Sequence, residues 1–236
     1  MCYPIGQFAV PMAPRLSGRG TRFKGVLMAR VAAYIDGFNM YHALQGDTTG
    51  RQLGRYVKYK WLDYPALVKC FIGGQDKLEK VYLFTTLATW DQDKVKRHNL
   101  YLRVLRQRGV EVVLGRFKRR TRRCTECGRV YRTFEEKLTD VNIAVYLFRG
   151  ALRDEYDTAL VMSGDTDSLP AIRMVKELFP NKEVGVVLPI ERRSEDLKQA
   201  SDFYIHMKEY HLARCQLPDE IDDPLLGKIV RPATWK

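Results

Sequence analysis

Five short apolar runs alternate with longer amphipathic stretches, and this alternation constrains the fold more than any other feature of the 236-residue chain. Each run is rich in Val, Ile, Leu or small residues, as are strands that are buried on both faces of a parallel sheet. The runs are RVAAYI (30–35), VYLFTT (81–86), VEVVLG (110–115), TALVMS (158–163) and EVGVVL (183–188).

Helical periodicity fills three of the intervening stretches, at 94–108, 140–153 and 167–179. The first stretch gathers Val95, Leu102 and Leu105 on one side, and the third has a proline in its first turn, where helices tolerate it. In the second stretch the apolar residues that recur at helical intervals are Val141, Ala144, Val145, Phe148 and Leu152. Strands that alternate with helices predict an α/β fold, a three-layer α/β/α sandwich around a mostly parallel sheet.

The length fits one folded domain with short appendages. Residues 1–29 are rich in Gly, Pro, Arg and Lys without periodicity, which predicts a flexible basic arm. The domain is expected over 30–212, and the Pro- and Asp-bearing stretch 213–236 is expected to be an irregular tail.

The formal net charge of +12 and the pI near 9.5 favour an anionic partner, for which nucleic acid is the main candidate. A solvated basic surface without a partner is the alternative. No stretch approaches the roughly 20 apolar residues of a membrane span, so no membrane partner is expected. The first residues lack the charge order of a secretory signal, and we expect a cytoplasmic protein.

Acidic residues follow two of the predicted strands. Asp36 comes directly after the run 30–35, and Asp165 and Asp167 follow the run 158–163 through a glycine. Asp140 begins the predicted helix 140–153. Taken singly, each aspartate is also explained as a helix cap or a turn residue.

Four carboxylates at the carboxyl edge of one sheet repel one another unless a cation lies between them. Oxygen ligands of this kind select Mg²⁺ or Mn²⁺. Such a site suits phosphodiester hydrolysis, because the ion activates water and neutralises charge on the phosphate. The sequence contains neither an H-E-x-x-H zinc motif nor a P-loop.

Three ordered motifs, D-G-x-N from Asp36 to Asn39, E-K-x-x-D-V from Glu136 to Val141 and S-G-D-x-D from Ser163 to Asp167, resemble the NYN domain family. This family, also called LabA-like, is a branch of the PIN-like nucleases, and the similarity covers about residues 30–212. The resemblance implies a PIN-like, Rossmann-like fold and an endoribonuclease activity. It also implies a Mg²⁺ or Mn²⁺ site made by Asp36, Asp140, Asp165 and Asp167.

The resemblance further implies Asn39 and Ser163 as hydrogen-bonding supports and Lys137 as a phosphate contact. A basic loop over 116–132 is expected to hold an RNA backbone beside the carboxylates, and its aromatic residues would stack on unpaired bases. Its candidate RNA contacts are Arg116, Lys118, Arg119, Arg120, Arg122, Arg123, Arg129 and Arg132. The alternative is a solvated, mobile loop.

Cys124 and Cys127 form a C-x-x-C pair within this loop. A structural zinc ion is one interpretation, but the missing ligands would have to come from distant residues or from a second chain, as in a homodimer. Two ordinary thiols in a turn are the other interpretation, and Cys2, Cys70 and Cys215 have no cysteine near them in the sequence.

The sequence therefore predicts a metal-dependent endoribonuclease acting on single-stranded or flexible RNA. One rival is a catalytically idle NYN module that binds RNA for regulation. Another is a DNA-directed PIN-like nuclease or a phosphatase on the same carboxylate plan.

Overall fold

The computed structural model describes residues 28–46 and 54–235. The predicted basic arm over 1–29 lies outside these residues except for Met28 and Ala29. The strands are β1 (Arg30–Asp36), β2 (Lys77–Thr85), β3 (Val110–Leu114), β4 (Arg116–Arg123), β5 (Val130–Lys137), β6 (Thr158–Met162), β7 (Glu183–Leu188), β8 (Phe203–His206), β9 (Glu220–Asp223) and β10 (Gly227–Val230).

The helices are α1 (Gly37–Gln45), α2 (Tyr64–Lys69), α3 (Gln92–Gln107), α4 (Thr139–Leu152), α5 (Leu169–Leu178), α6 (Glu195–Ala200) and α7 (Glu209–Arg214). Short 3₁₀ turns occur at Val57–Tyr59, Thr166–Ser168 and Ala233–Trp235. Within the described residues, no helix is both long enough and apolar enough to cross a membrane.

The central sheet has six strands in the order β3-β2-β1-β6-β7-β8, and every neighbouring pair is parallel. The predicted α/β fold is therefore confirmed, with β8 as an edge strand that the apolar runs do not reveal. β1 and β6 are neighbours in the middle of the sheet. Because all six strands point the same way, the carboxyl ends of these two strands lie next to each other.

Side chains of β1 alternate between two apolar cores. Val31, Ala33 and Ile35 pack in the core that includes α1, α2 and α3. Ala32 and Tyr34 pack on the other face with residues of α4, α5 and α6. Helices therefore cover both faces, as the three-layer prediction requires.

The buried face of α4 differs from the predicted one. Val141, Val145 and Leu152 are exposed, whereas Ile143 and Leu147 are buried against the sheet. The helix carries apolar residues on more than one face, so periodicity locates the helix but does not choose its buried side. The buried side is the one that carries Gly150. A Cβ at this position would lie 2.5 Å from the Tyr34 hydroxyl oxygen, so glycine lets α4 contact β1.

The prediction of an irregular tail over 213–236 is wrong for its described residues. Strands β9 and β10 form an antiparallel hairpin, and Ile229 is buried in the core on the α3 face. The Trp235 ring lies 6.0 Å from that of Trp61 and 5.6 Å from that of Tyr101. Scattered Pro and Asp residues concealed strands of only four residues, which derive their stability from packing on the domain.

Candidate carboxylate site

The ends of β1 and β6 carry the central residues of the candidate site. Asp36 is the last residue of β1 and also caps α1, since its Oδ1 accepts a 2.8 Å hydrogen bond from the backbone N–H of Asn39. A Cβ at Gly37 would lie 2.8 Å from the carbonyl oxygen of Phe84, so only glycine lets α1 start this close to β2. The Asp-Gly pair therefore holds the Asp36 carboxylate in place and lets α1 begin directly after β1.

A short hydrogen-bond network joins the two strand ends. The Ser163 hydroxyl donates to Oδ2 of Asp36 at 2.8 Å, and the backbone N–H of Asp165 donates to the same hydroxyl at 3.0 Å. The N–H of Gly164 donates to Oδ1 of Asn39 at 3.0 Å. Asn39 and Ser163 thus connect the loop after β6 to the start of α1, and they orient Asp36.

Asp165 and Asp167 occupy different positions. Asp165 lines the cleft at the end of β6, and its Oδ1 accepts a 3.1 Å hydrogen bond from the N–H of Asp167. The side chain of Asp167 is exposed and does not line that cleft. Its negative charge nevertheless reaches the site, because it helps to raise the pKa of Asp140.

Asp140 lies in the first turn of α4 and is not its N-cap. That position belongs to Leu138, whose φ of 81° puts a non-glycine residue in the left-handed region. This sharp corner turns the chain from β5 into α4, so that Glu136 and Asp140 line the same cleft. The capping role considered for Asp140 is therefore not the one it has.

Glu136 is a cleft carboxylate to which the sequence analysis gave no role. Its Oε1 accepts a 3.1 Å hydrogen bond from the Thr86 hydroxyl and another from the Thr139 hydroxyl. These bonds anchor the end of β5 to β2 and α4. Glu136 is the first residue of the E-K-x-x-D-V motif that locates Asp140. This motif is therefore the sequence signal from which a role for Glu136 could have been predicted.

The cleft has a volume of about 320 Å³, and Asp36, Glu136, Asp140 and Asp165 all line it. Asp36 is 4% exposed, and its burial, with Asp140 and Asp165 nearby, raises its pKa to about 6 although its two hydrogen bonds oppose this. Burial and the charges of Asp165, Glu136 and Asp167 also raise the pKa of Asp140. Burial and neighbouring charges therefore disfavour the ionised forms of Asp36 and Asp140.

The chemistry of these donors fits a hard divalent cation, which would offset their mutual repulsion. Over residues 28–46 and 54–235, however, no three His, Cys, Asp or Glu side chains are already gathered closely enough to ligate an ion. The three aspartates that share the cleft are thus oriented toward one space without forming a closed ligand set.

The segment 116–132, predicted as a basic loop, is mostly a β-hairpin. Strands β4 and β5 pair antiparallel over eight residues each, from Arg116 opposite Lys137 to Arg123 opposite Val130. The loop prediction is wrong because a run of arginines and lysines has no apolar alternation to indicate a strand. Cross-strand pairing and contacts with the domain at its base stabilise the hairpin instead.

An aromatic cluster attaches this hairpin to the domain. Phe134 of β5 stacks on Trp90, with ring centroids 3.6 Å apart, and Phe117 of β4 contacts both Trp90 at 4.7 Å and Phe38 at 6.1 Å. Phe134 and Phe38 also line the carboxylate cleft. The base of the hairpin therefore forms part of the site.

The two faces of the hairpin carry different basic residues. Residues paired across strands share a face, so Phe117, Arg119, Arg123 and Arg132 lie on the side of Phe134 and Glu136. The opposite face carries Arg116, Lys118, Arg120 and Arg122. Arg129 lies in the connecting turn, where its carbonyl accepts a hydrogen bond from the N–H of Cys124.

Lys137 takes part in an ion pair on the opposite face. Its Nζ lies 2.9 Å from Oε1 of Glu135, which also pairs with Arg120 at 3.1 Å. Lys137 does not line the cleft. The structure therefore does not bring Lys137, which was implied as a phosphate contact, to the cleft.

Cys124 and Cys127 lie in the tight turn between β4 and β5, where Gly128 has a φ of 68°. Hydrogen bonds from the backbone N–H groups of Cys127 and Glu126 lower the pKa of Cys124. No third Cys, His, Asp or Glu side chain joins them in the part of the chain that the structure describes. Their arrangement is that of two thiols in a turn.

Cys70 and Cys215, in contrast, have each other as neighbours. Their Sγ atoms lie 3.5 Å apart although 145 positions separate them in the sequence. Burial raises the pKa of Cys215 to about 12, so its thiol is protonated at neutral pH. Neither cysteine contributes to the carboxylate cleft.

A family model described as "NYN domain" matches residues 30–208. A protein of Pseudomonas putida named 6-hydroxy-3-succinoylpyridine 3-monooxygenase is 23% identical, over 87% of this chain and 75% of its own length. The crystal structure of a protein of unknown function from Vibrio parahaemolyticus has a similar fold. Its TM-score is 0.52 at 17% identity, over 79% of this chain and 98% of that one. Because the family model spans most of the chain, including every element that lines the carboxylate cleft, this protein is a member of the NYN domain family, within the PIN-like nuclease superfamily.

Proposed function

We propose that the protein is a metal-dependent endoribonuclease that hydrolyses phosphodiester bonds of single-stranded or flexible RNA. The observation that carries the proposal is the convergence of Asp36, Asp140 and Asp165, from β1, α4 and the loop after β6, on one cleft beside a strongly basic hairpin. Membership of the NYN family supports the same activity.

Asp36, Asp140 and Asp165 would hold a Mg²⁺ or Mn²⁺ ion, with Asp167 adding negative charge from the rim. When bound, such an ion supplies Lewis acidity and makes hydroxide available near neutral pH. Asn39 and Ser163 keep the Asp36 carboxylate oriented. We assign to Asp140 the orientation of the attacking water, because it lines the cleft from a separate element, α4.

The basic side chains hold the substrate strand. On the site-facing side of the hairpin, Arg119 and Arg132 would contact phosphates of a strand bound beside the cleft. Arg192 adds a cation near the loop after β6, since a Cβ at Gly164 would lie 3.0 Å from the Cβ of Arg192. These contacts position an RNA strand without reading its sequence.

The test is cleavage of a labelled, unstructured RNA with Mn²⁺ or Mg²⁺. We expect wild-type protein to cut, EDTA to stop cutting, and Asp165→Asn to slow it by about 100-fold. Asp222→Asn is the matched control, since Asp222 is an exposed aspartate on the C-terminal hairpin. Tight, salt-sensitive RNA binding without cutting under either metal would instead identify an idle RNA-binding module.

A second candidate function follows from the relative named a monooxygenase of a succinoyl-substituted hydroxypyridine. A larger aromatic-lined cavity next to the carboxylate cleft is the observation that favours a small heteroaromatic substrate here. Incubation with 6-hydroxy-3-succinoylpyridine, air and a supplied reductant tests it by the loss of substrate. Conversion of this compound together with no cleavage of RNA would favour this candidate over the nuclease.

A further inference from the structure

A second cavity adjoins the carboxylate cleft and has no role in the RNA hydrolysis proposed above. Its volume is about 540 Å³, which lies within the range of roughly 300–1,000 Å³ that is typical of small-molecule sites. Phe38 of α1 and Phe134 of β5 line both the cavity and the cleft. A ligand group in this cavity would therefore lie directly beside the carboxylates.

The walls of this aromatic pocket offer flat faces to a ring. Trp90 and Tyr41 line it, and they remain 44% and 43% exposed. Trp90 is held in place by its stack on Phe134 and its edge contact with Phe117. Fixed, accessible aromatic faces of this kind stack on unpaired bases irrespective of sequence.

The pocket also carries unbalanced positive charge. Lys60, Lys94 and Arg97 line it, and no Asp or Glu is among its described lining residues. Lys60 is buried. Its Nζ lies 4.2 Å from the centre of the Tyr41 ring and donates a hydrogen bond to Oε1 of Gln45. Burial and the charges of Arg97 and Lys94 lower the pKa of Lys60 to about 8.

An anionic group in the pocket would relieve this repulsion. The Nζ of Lys94 already lies 3.1 Å from Oδ2 of Asp91. Lys60 and Arg97 are therefore the main cations that would attract an anionic group. A nucleotide combines the two features that the pocket selects, since it has a planar ring and a phosphate. A base within a duplex is stacked and paired, so only an unpaired or extruded base could enter.

We propose that this pocket binds one unpaired nucleobase of the RNA strand, with the phosphate of the same nucleotide against Lys60 and Arg97. The proposal rests on the ribonuclease function proposed above, for which it specifies the substrate. The base is stacked in the pocket, and the neighbouring phosphodiester lies in the carboxylate cleft. The enzyme then cuts beside an unpaired nucleotide and spares continuous duplex.

Binding is tested by calorimetric titration with the four nucleoside 5′-monophosphates in EDTA, so that neither metal nor cleavage affects the result. We expect wild-type protein to bind them, and Lys60→Met and Trp90→Leu each to weaken binding by about tenfold. Arg97→Gln, at a partly exposed position of α3, is a second charge variant that does not alter a buried position. Lys77→Met is the matched control, because Lys77 is exposed at the opposite edge of the sheet, where β2 begins.

Absence of nucleotide binding, or binding that the three pocket variants leave unchanged, would overturn the proposal. So would binding of 6-hydroxy-3-succinoylpyridine in the pocket without binding of any nucleotide. Cleavage is measured separately with Mn²⁺. Cleavage that persists unchanged in the pocket variants overturns the pocket proposal alone. Nucleotide binding that depends on the pocket, without any cleavage, would support the nucleotide site and contradict the ribonuclease function.

Discussion

Asp36 combines two roles at the residue scale. Its two oxygens accept hydrogen bonds from the N–H of Asn39 and the hydroxyl of Ser163, which makes it the cap of α1 and a link to β6. Its burial, and to a lesser extent the charges of Asp140 and Asp165, raise its pKa. The cap orients a charge that the surroundings disfavour, as is common where a functional site takes precedence over stability.

His98 provides a residue-scale prediction about pH. Burial lowers its pKa to about 4, so the folded protein keeps it neutral while the unfolded chain takes up a proton near pH 6.5. Its contribution to stability is therefore complete above pH 6.5 and is lost as the pH falls toward 4. When the pH falls from 7 to 4.5, the free energy of unfolding should decrease by about 2 kcal/mol less for His98→Gln than for the wild type.

Urea unfolding of both proteins at the two pH values measures this difference, since other groups titrate equally in each. Glutamine keeps a polar group near the Thr85 hydroxyl, which lies 3.5 Å from Nε2 of His98. An identical pH dependence of wild type and variant would show that the folded protein accepts the proton on His98 as readily as the unfolded chain does.

At the scale of elements, the hairpin of β4 and β5 is the most informative part. Its aromatic base attaches it to Trp90 and Phe38, and its two faces divide the basic residues into two sets. We predict that the set facing the cleft contacts RNA more than the other set does. The face, and not only the number of charges, then determines the affinity.

Two double variants with equal loss of charge test this prediction. Arg119→Ser with Arg132→Ser should weaken the binding of single-stranded RNA by about tenfold near physiological salt, and should flatten its salt dependence. Lys118→Ser with Arg122→Ser, on the opposite face, should weaken it by only about twofold. Equal losses, measured by fluorescence anisotropy, would mean that the hairpin acts as a diffuse charge without a preferred face.

The sequence indicates some of these elements and conceals others for physical reasons. Strands such as β1 and β6 are evident because long apolar runs end abruptly in Asp or in Ser-Gly-Asp, and these ends also locate Asp36 and Asp165. The run of arginines and lysines in β4 gives no such signal, because its strand is made by pairing with β5. The contact of Cys70 with Cys215 depends on tertiary folding and has no local signal at all.

At the scale of the whole molecule, the parallel sheet explains why residues far apart in sequence meet. Its middle strands bring Asp36 and Asp165 together, and α4 and the hairpin add Asp140 and Glu136 from the side. The segment after Arg214 contributes Thr234 and Trp235 to the lining of the aromatic pocket, and Trp235 packs on Trp61 and Tyr101. The motifs predict that Asp36, Asp140 and Asp165 lie together, whereas the place of Glu136 in the cleft and the pocket beside it required the fold.

In the proposed function, carboxylates from separate elements act together on one cation to cut RNA. The most direct test is the rate of single-turnover cleavage of an unstructured RNA as Mn²⁺ is titrated, for wild type and Asp140→Asn. We expect a wild-type rate that rises with Mn²⁺ and saturates, and a rate about 100-fold lower for the variant. Equal rates for the two proteins, or cleavage that does not depend on Mn²⁺, would contradict it.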